Sequence, residues 1–214
     1  RAGIIALDLR EGDRLVGVAW TSGRDHLLLG TAGGMSIRFK EEDARAMGRD
    51  ASGVKGIELA DDDLVVGMVK IAMKSNERDD DQEEPELDLL TLTENGYGKR
   101  TPLTEYLVAS ESESGDTTYR AQSRGGKGRI DIRTSERNGR VVSVKAAHES
   151  EGVVLTTQQG LLVRIPVDQI SRIGRATQGV RVVNLKEGDR LIATAIVPAE
   201  EAEESDSEAA APSS

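Results

Sequence analysis

The sequence predicts an all-β fold, an array of short four-stranded blades, and three observations carry that reading. A turn ahead of a Val-Val-like strand recurs at Asp13, Asp63, Gly139 and Asp189, with gaps of 50, 76 and 50 residues. A Gly-x-x-x-Arg step recurs at Gly34/Arg38, Gly96/Arg100 and Gly160/Arg164, following Gly33, Asn95 and Gln159, in keeping with two-residue hairpin turns. Helical periodicity is nearly absent: only 41–47 and 167–170 suggest a turn or two. Four short strands per fifty residues form units that bury one another's apolar faces, so one repeat is not stable alone.

Taken in order, the first unit is incomplete. Residues 3–9 alternate like a strand, 11–13 make a turn, 14–18 give a second strand and 26–30 a third. Because Arg1 falls inside this strand-like pattern, the chain reads as a fragment of a larger ring. Strands are expected near 35–40, 54–59, 64–71, 129–134, 161–165 and 180–185, in a partial ring of about 3.5–4 repeats. The long gap holds two polar inserts, an acidic one at 76–88 and a second at 107–119. The blade array therefore occupies 1–198, and 199–214 form an acidic disordered tail. The composition of 76–86 and of the tail predicts that both stay mobile. Strand Leu, Ile and Val are read as core, and Trp20, the sole tryptophan, as packing.

Composition narrows the function. There are no cysteines and only two histidines, His26 and His148, which argues against thiolate metal sites, zinc and a histidine-based triad. No apolar run approaches the ~20 residues of a membrane helix, and none resembles a signal peptide, so a cytoplasmic protein with no membrane partner is expected. The net charge of −10 hides an uneven distribution. Segments 76–88, 111–116 and 199–214 hold 17 of the 38 acids, and the rest of the chain carries 27 basic residues against 21 acidic. The repeat core is basic, which suits a polyanion.

The connection between the arginine strand and the next strand is itself repeated, as 48–54, 122–128 and 174–180. The middle copy reads Gln122-Ser123-Arg124-Gly125-Gly126-Lys127-Gly128, and Arg129 follows. Three glycines in four positions let backbone approach a ligand closely, and flanking cations suit phosphate; the competing reading is a flexible basic loop. It is not a Walker loop, since no Ser or Thr follows Lys127. Matched positions carry Arg38, Arg45, Arg49 and Lys55 in one unit, Lys99, Arg100, Arg124, Lys127 and Arg129 in the next, and Arg164, Arg172 and Arg175 in the last. Units arranged about an axis would align these cations as a stripe; scattered solvated charge is the other reading. Aromatics are 2% of the chain, too few for single-strand stacking platforms, and nothing resembles a recognition helix. A curved cation track suits duplex phosphates with little base readout. Asp61-Asp62-Asp63 reads as a turn of solvated carboxylates, and no catalytic constellation is present.

These segments resemble the C-terminal domain of the DNA gyrase A subunit, with the corresponding topoisomerase IV domain a more distant match. Residues 122–128 are similar to that family's box, Gln-Arg-Arg-Gly-Gly-Lys-Gly, with Ser123 in place of an arginine. Arg45-Ala46-Met47-Gly48, Gly96-Tyr97-Gly98-Lys99-Arg100-Thr101 and Glu136-Arg137-Asn138-Gly139 extend the likeness over about 1–198. The resemblance implies a β-pinwheel, a propeller-like ring in which neighbouring blades exchange strands and duplex DNA wraps the rim. It implies a bacterial, nucleoid-associated enzyme with A2B2 subunits that introduces negative supercoils. The catalytic tyrosine, the metal site and the ATPase would lie outside this chain, so that ATP and Mg serve the holoenzyme and no cofactor serves this domain. The isolated fragment is expected to be monomeric. The box lies in the penultimate unit, whereas the family's principal box lies in the first blade, so it reads as a second copy. The rival reading is a propeller-like protein–protein interaction module.

Overall fold

The computed structural model describes residues 3–73, 86–111 and 117–198. Within these, thirteen strands and three short 3-10 turns follow in order, with no α-helix. The strands are β1 (His26–Thr31), β2 (Met35–Lys40), β3 (Val65–Ile71), β4 (Asp88–Thr93), β5 (Tyr97–Pro102), β6 (Val108–Glu111) and β7 (Thr117–Arg120). There follow β8 (Arg129–Ile130), β9 (Val141–Ala147), β10 (Gly152–Thr157), β11 (Leu162–Pro166), β12 (Val180–Arg181) and β13 (Leu191–Val197).

They assemble three blades. The first is ordered β3-β1-β2-β8, the second β9-β4-β5-β12 and the third β13-β10-β11. The outer strand of the first blade, β8, follows β7 in sequence and lies after the second hairpin has formed. It nevertheless returns to pair with β2, Ser36 opposite Arg129. In the same way β12 follows the third hairpin and pairs with β5 of the second blade. This exchange of edge strands makes the array a β-pinwheel. Blades are covalently interleaved, so no blade completes its own sheet.

Each hairpin is built on one device. The N–H groups of Gly34, Gly96 and Gly160 donate to the carbonyls of Thr31, Thr93 and Thr157 at 3.0, 3.0 and 3.1 Å. Those glycines have φ of +86°, +78° and +87°, the left-handed region that L-residues avoid. The loop 32–34 has three residues, a tight turn closed by a left-handed glycine, and not the two-residue turn the sequence suggested. Asp63 and Asp189 staple two of the tips. Asp63 Oδ1 accepts N–H bonds from Gly33 and Leu64 at 2.7 and 2.8 Å, and Asp189 Oδ1 from Gln159 and Arg190 at 3.0 and 2.8 Å. The recurring aspartate is therefore a cap rather than a solvated carboxylate. Where Gly139 replaces it, Glu94 Oε1 accepts the Arg140 N–H at 2.9 Å from the opposite side.

Apolar residues interlock the blades. Leu28, Val69 and Ile71 of the first blade pack with Leu89, Leu103, Ile132 and Val144. Leu90 and Leu92 of the second pack with Val153, Leu155, Val167 and Ile170 of the third. Strands β3, β9 and β13 lie innermost, and residues 66–68, 142–145 and 193–194 line one cavity at the hub together with 16–18.

Several sequence expectations need correction. Residues 3–9, 14–18 and 54–59 are not strands. Alternation makes a strand only where a ladder partner exists. The counterparts of 3–9, β8 and β12, pair with the hairpin of the preceding unit, and no hairpin precedes 3–9 among the described residues. Ile4 and Ile5 are exposed, and Trp20 is 93% exposed rather than packed. The strands expected at 129–134 and 180–185 shorten to two residues each. The insert at 107–119 contains a paired ribbon, β6 with β7. The predicted mobility of 76–86 and of the tail falls, but for Glu86, outside the described residues.

Candidate nucleic-acid interface

The glycine-bearing loops 122–128 and 173–179 run into the two outer edge strands, and they are built alike. In the first, the Gln122 N–H donates to the Arg38 carbonyl at 2.8 Å and the Gly125 N–H to that of Gly56 at 2.7 Å. The Glu58 N–H in turn donates to Gly126 at 2.9 Å. In the second, Ile173 donates to Arg100 at 2.9 Å, Ala176 to Asp131 at 2.7 Å, and Arg133 to Thr177 at 2.8 Å. Both end on a glycine at φ +72°, Gly128 or Gly179, pressed onto the carbonyl of Ser36 or Gly98. A Cβ on Gly128 would overlap the Ser36 oxygen, so glycine is there for strand pairing.

One arginine clips each loop down. Arg124 Nε donates to the Asp43 carbonyl at 3.0 Å and its Nη1 to that of Lys55. Arg175 Nη1 donates to the Ile130 carbonyl at 3.2 Å, and its Nε lies 3.9 Å from Glu105. Asp43 and Glu105 hold matching positions, as do Lys55 and Ile130. Arg124 and Arg175 are thus part of the loops' own framework. The Gly125 N–H, expected to face a ligand, is spent on Gly56. What the box turns outward is Ser123, Gly126 and Lys127, all exposed.

The hairpin arginines lie elsewhere. Arg38 is fully buried; its Nε donates to His26 Nδ1 at 3.1 Å and its Nη1 to the Leu103 carbonyl at 3.0 Å. Arg100 is 9% exposed and donates through Nε to the Ile170 carbonyl at 2.8 Å. Leu103 and Ile170 belong to the 3-10 turn regions of the following units, so each arginine bolts one blade to the next. Lys99 is fully buried as well, with Nζ 3.1 Å from Asp131 Oδ1 and 2.9 Å from Thr101 Oγ1. Burial holds its amine below the usual lysine value, and Asp131 opposes that. Arg38, Lys99 and Arg100 were expected on the DNA track; the structure corrects this, because a guanidinium or amine spent inside the core cannot reach a phosphate. In its first two occurrences, Gly34/Arg38 and Gly96/Arg100, the Gly-x-x-x-Arg signature marks a blade-to-blade bolt.

The remaining sites face solvent to different degrees. Arg129 is half-buried and donates to the Leu107 carbonyl at 2.6 Å; burial, with Arg175 nearby, lowers its affinity for a proton. Arg172 is exposed but paired with Asp88 at 2.9 Å, a hydrogen bond that raises its pKa further. Lys55 lies 3.8 Å from Glu58, and Arg164 Nη2 donates to the Pro198 carbonyl at 2.7 Å. Arg45, Arg49 and Lys127 are exposed, and among the described residues no carboxylate pairs with them. Gln122 keeps its side-chain oxygen buried without a protein partner. Among the described residues there is no cluster of three His, Asp or Glu able to hold a metal, and no helix long and apolar enough to cross a membrane.

Sequence reasoning did not single out one constellation, Tyr97 with Arg137 and Arg181. Tyr97 lies opposite Arg181 in the β5–β12 ladder, and both guanidiniums lie over its ring, Arg137 at 5.0 Å and Arg181 at 5.1 Å. The signal was present in the repeat register. Met35 and Ile130 pair at the matching positions of the first blade, so aligning the units places Tyr97 across from Arg181.

Against known proteins, the sequence model of the DNA gyrase C-terminal domain, described as a beta-propeller, matches residues 1–19, 25–72, 87–111, 117–148 and 153–198. The DNA gyrase A subunit of Haloquadratum walsbyi is 43% identical over 187 residues, 87% of this chain and 19% of that protein. Its counterpart in Klebsiella oxytoca is 42% identical over 192 residues, 90% of this chain and 19% of that protein. The chain thus spans about a fifth of the length of these relatives. Among solved structures, a topoisomerase IV C-terminal domain superposes with a TM-score of 0.75 at 25% identity, covering 92% of this chain and 54% of that one. A DNA gyrase A C-terminal domain superposes at 0.72 with 22% identity, covering 91% and 58%, which is a likeness of fold. The family match extends over most of the chain, and the chain belongs to the DNA gyrase C-terminal domain family.

Proposed function

We propose that this chain binds duplex DNA without sequence specificity and wraps it around the outer edge of the blades, as the accessory domain that lets a gyrase introduce negative supercoils. The observation that carries this reading is the recurrence of one loop at the same edge of successive blades in a member of this family. Two of the three copies bring a free cation to the surface, Arg49 in the first and Lys127 in the second, with Arg45 and Lys55 nearby in sequence; Arg175 of the third is spent on its own loop. Contacts spaced along a curve favour a bent duplex over a straight one. Bending a short site by 40–90° costs about 1–6 kcal/mol, so several blades must act together. Each neutralised phosphate releases counterions, which makes binding steeply salt-dependent.

In this reading the chain does no chemistry. Strand cleavage, ATP hydrolysis and any Mg belong to other domains of the gyrase, in its A and B subunits, within an A2B2 assembly at the nucleoid. This domain needs no cofactor, and the isolated fragment is a monomer. The blade array occupies 1–198, and the acidic tail 199–214 competes with DNA for the rim. The test is relaxation of a plasmid by a nicking-closing enzyme in the presence of the chain. A shift of the topoisomer distribution with one handedness is the expected result. Salt-insensitive retention on heparin, with no topological shift, would favour a protein-binding propeller instead.

A further inference from the structure

Two guanidiniums converge on one phenol at the outer edge of the second blade. Tyr97 opens β5, and β12 sets Arg181 directly across the ladder from it. Arg137 comes from the turn 135–139, which Asn95 Nδ2 fastens to the hairpin tip through the carbonyls of Glu136 and Arg137 at 3.0 and 3.2 Å. The phenol oxygen accepts Arg137 Nε at 3.3 Å and Arg181 Nη2 at 2.7 Å. Tyr97 is only 4% exposed, whereas both arginines are exposed. The ring is therefore a fixed post, and the cations are its outer surface.

What sets this pair apart is that two guanidiniums without a carboxylate share one neutral acceptor. Arg140 is paired with Asp63 at 3.6 Å, Arg190 with Glu94 at 3.3 Å and Arg172 with Asp88 at 2.9 Å. Among the described residues Arg137 and Arg181 have no carboxylate, and the remaining partner of Arg181 is the neutral Asn184 Oδ1 at 3.4 Å. Two like charges held on one neutral oxygen repel each other. The hydrogen bond from Arg137, then that from Arg181, lowers the Tyr97 pKa, since both stabilise a phenolate. Hydrogen bonds and the π face hold the arrangement in place. Arg137 keeps its Nη groups and Arg181 its Nε unspent among the described residues. A planar fork with free N–H groups matches the oxygens of a phosphodiester. The strand that carries Arg181 holds the same edge position as β8, which follows the box in the first blade.

We propose that Arg137 and Arg181, positioned by Tyr97, form a backbone-phosphate seat for duplex DNA on the edge of the second blade. The proposal rests on the DNA-wrapping reading above and adds to it a fixed point one blade beyond the box. The test is a salt series of binding to a linear duplex with the whole chain. Replacing both residues, Arg137→Ala with Arg181→Ala, should lower the slope of log K against log salt by about 2 if each meets its own phosphate, or about 1 if they share one. Arg137→Lys with Arg181→Lys should keep most of the parental slope, because charge is retained. Tyr97→Phe keeps ring and charges but removes the acceptor; it should weaken binding several-fold with the slope unchanged. An alanine pair with the parental slope would overturn the seat, as would a lysine pair whose slope falls like the alanine pair's, since that result reports damage to the fold. Tyr97→Phe that lowers Tm while binding like the parent would remove the positioning role. If the parent itself fails to bind duplex at low salt, the wrapping reading falls, a result distinct from these.

Discussion

The two rim loops share one backbone but rest on opposite kinds of interior. Beneath the box lie Leu29, Ile37 and Gly56, beside Phe39 and Ile57, and the plug is wholly apolar. At the matching positions of the next unit stand Thr91, Lys99 and Asp131. There Asp131 Oδ2 accepts from Thr91 at 2.6 Å, and Oδ1 accepts from Tyr106 at 2.6 Å and faces Lys99 at 3.1 Å. Lys99 Nζ also donates to the Gly174 carbonyl at 3.1 Å, which ties the ionic plug to the loop above it. An apolar plug adapts by repacking. An ionic one is satisfied in a single geometry, and we read it as fixing where the second loop sits. Desolvating both charges costs several kcal/mol, offset only because each remaining donor and acceptor is used.

The largest expected effect follows from breaking that ionic plug on one side. Asp131→Ala leaves Lys99 buried without its counter-charge and should destabilise the chain by about 3–5 kcal/mol in chemical denaturation. The comparison sharpens with a double change, Lys99→Met with Asp131→Leu, which imitates the apolar plug. It should recover part of the single variant's loss, because no charge is left unpaired, but not the parent's full stability, because the buried Thr91 and Tyr106 hydroxyls lose their acceptor. A double variant as unstable as the single one would mean that the network supplies stability beyond its charges.

Next comes Gly128→Ala. It forces an L-residue to φ +72° and drives its Cβ into the Ser36 carbonyl. The left-handed penalty and the overlap together should cost roughly 2–4 kcal/mol. The loss should appear as faster amide exchange in β8, which frees the strand the first blade borrows.

Much of this was legible in the sequence, and the illegible part has a physical pattern. The period, the hairpins and the equivalence of the three loops could be read because local turn chemistry recurs in register. Arg38, Lys99 and Arg100 could not be placed, because a cation in a strand reads as surface until the neighbouring blade that buries it is known. Strand exchange explains the rest. Residues 3–9 and 129–134 have the same alternation, yet only the second finds a hairpin to pair with. The Arg137–Tyr97–Arg181 cluster joins residues 40 and 84 apart, so no local motif announces it.

A smaller effect distinguishes the two plugs by pH. Burial, and then Asp131, hold the Tyr106 hydroxyl well above the ordinary tyrosine value. A raised folded-state pKa contributes stability that is intact below the unfolded value near 10 and is lost as pH climbs above it. Tyr106→Phe should cost about 1–3 kcal/mol at neutral pH, by removing a hydrogen bond to a buried carboxylate. The gap between parent and variant should narrow above pH 10, where the phenol is progressively ionised in the unfolded parent only. Lys99, whose pKa is lowered by burial, pulls the other way, and both proteins share that contribution. A gap that stays constant to pH 11 would mean that Tyr106 ionises freely in the folded state.

The smallest effect separates two adjacent glycines of the box. Gly125 sits at φ +83°, and a Cβ on it would come 3.3 Å from the Lys55 carbonyl oxygen. Its counterpart in the other loop is Ala176, which holds φ +56°. The repeat itself thus shows that alanine can occupy this position, at the cost of a left-handed L-residue. Gly125→Ala should therefore lose about 1–2 kcal/mol and keep the loop. Gly126 has ordinary φ, and the nearest atoms to a Cβ there are 3.9 and 4.0 Å away. Its counterpart is Thr177, so Gly126→Ala should change stability by less than about 0.5 kcal/mol. The sequence alone suggested that the box glycines let backbone approach a ligand closely. Gly126 faces solvent while Gly125 has its N–H bound to Gly56, so an effect on the DNA path is expected at Gly126 rather than at Gly125. Plasmid wrapping by the two variants is the measurement. Wrapping impaired in Gly126→Ala despite parental stability would identify a close approach of DNA to that backbone. Impairment that follows stability instead, with Gly125→Ala the worse of the two, would leave the box glycines a purely architectural part.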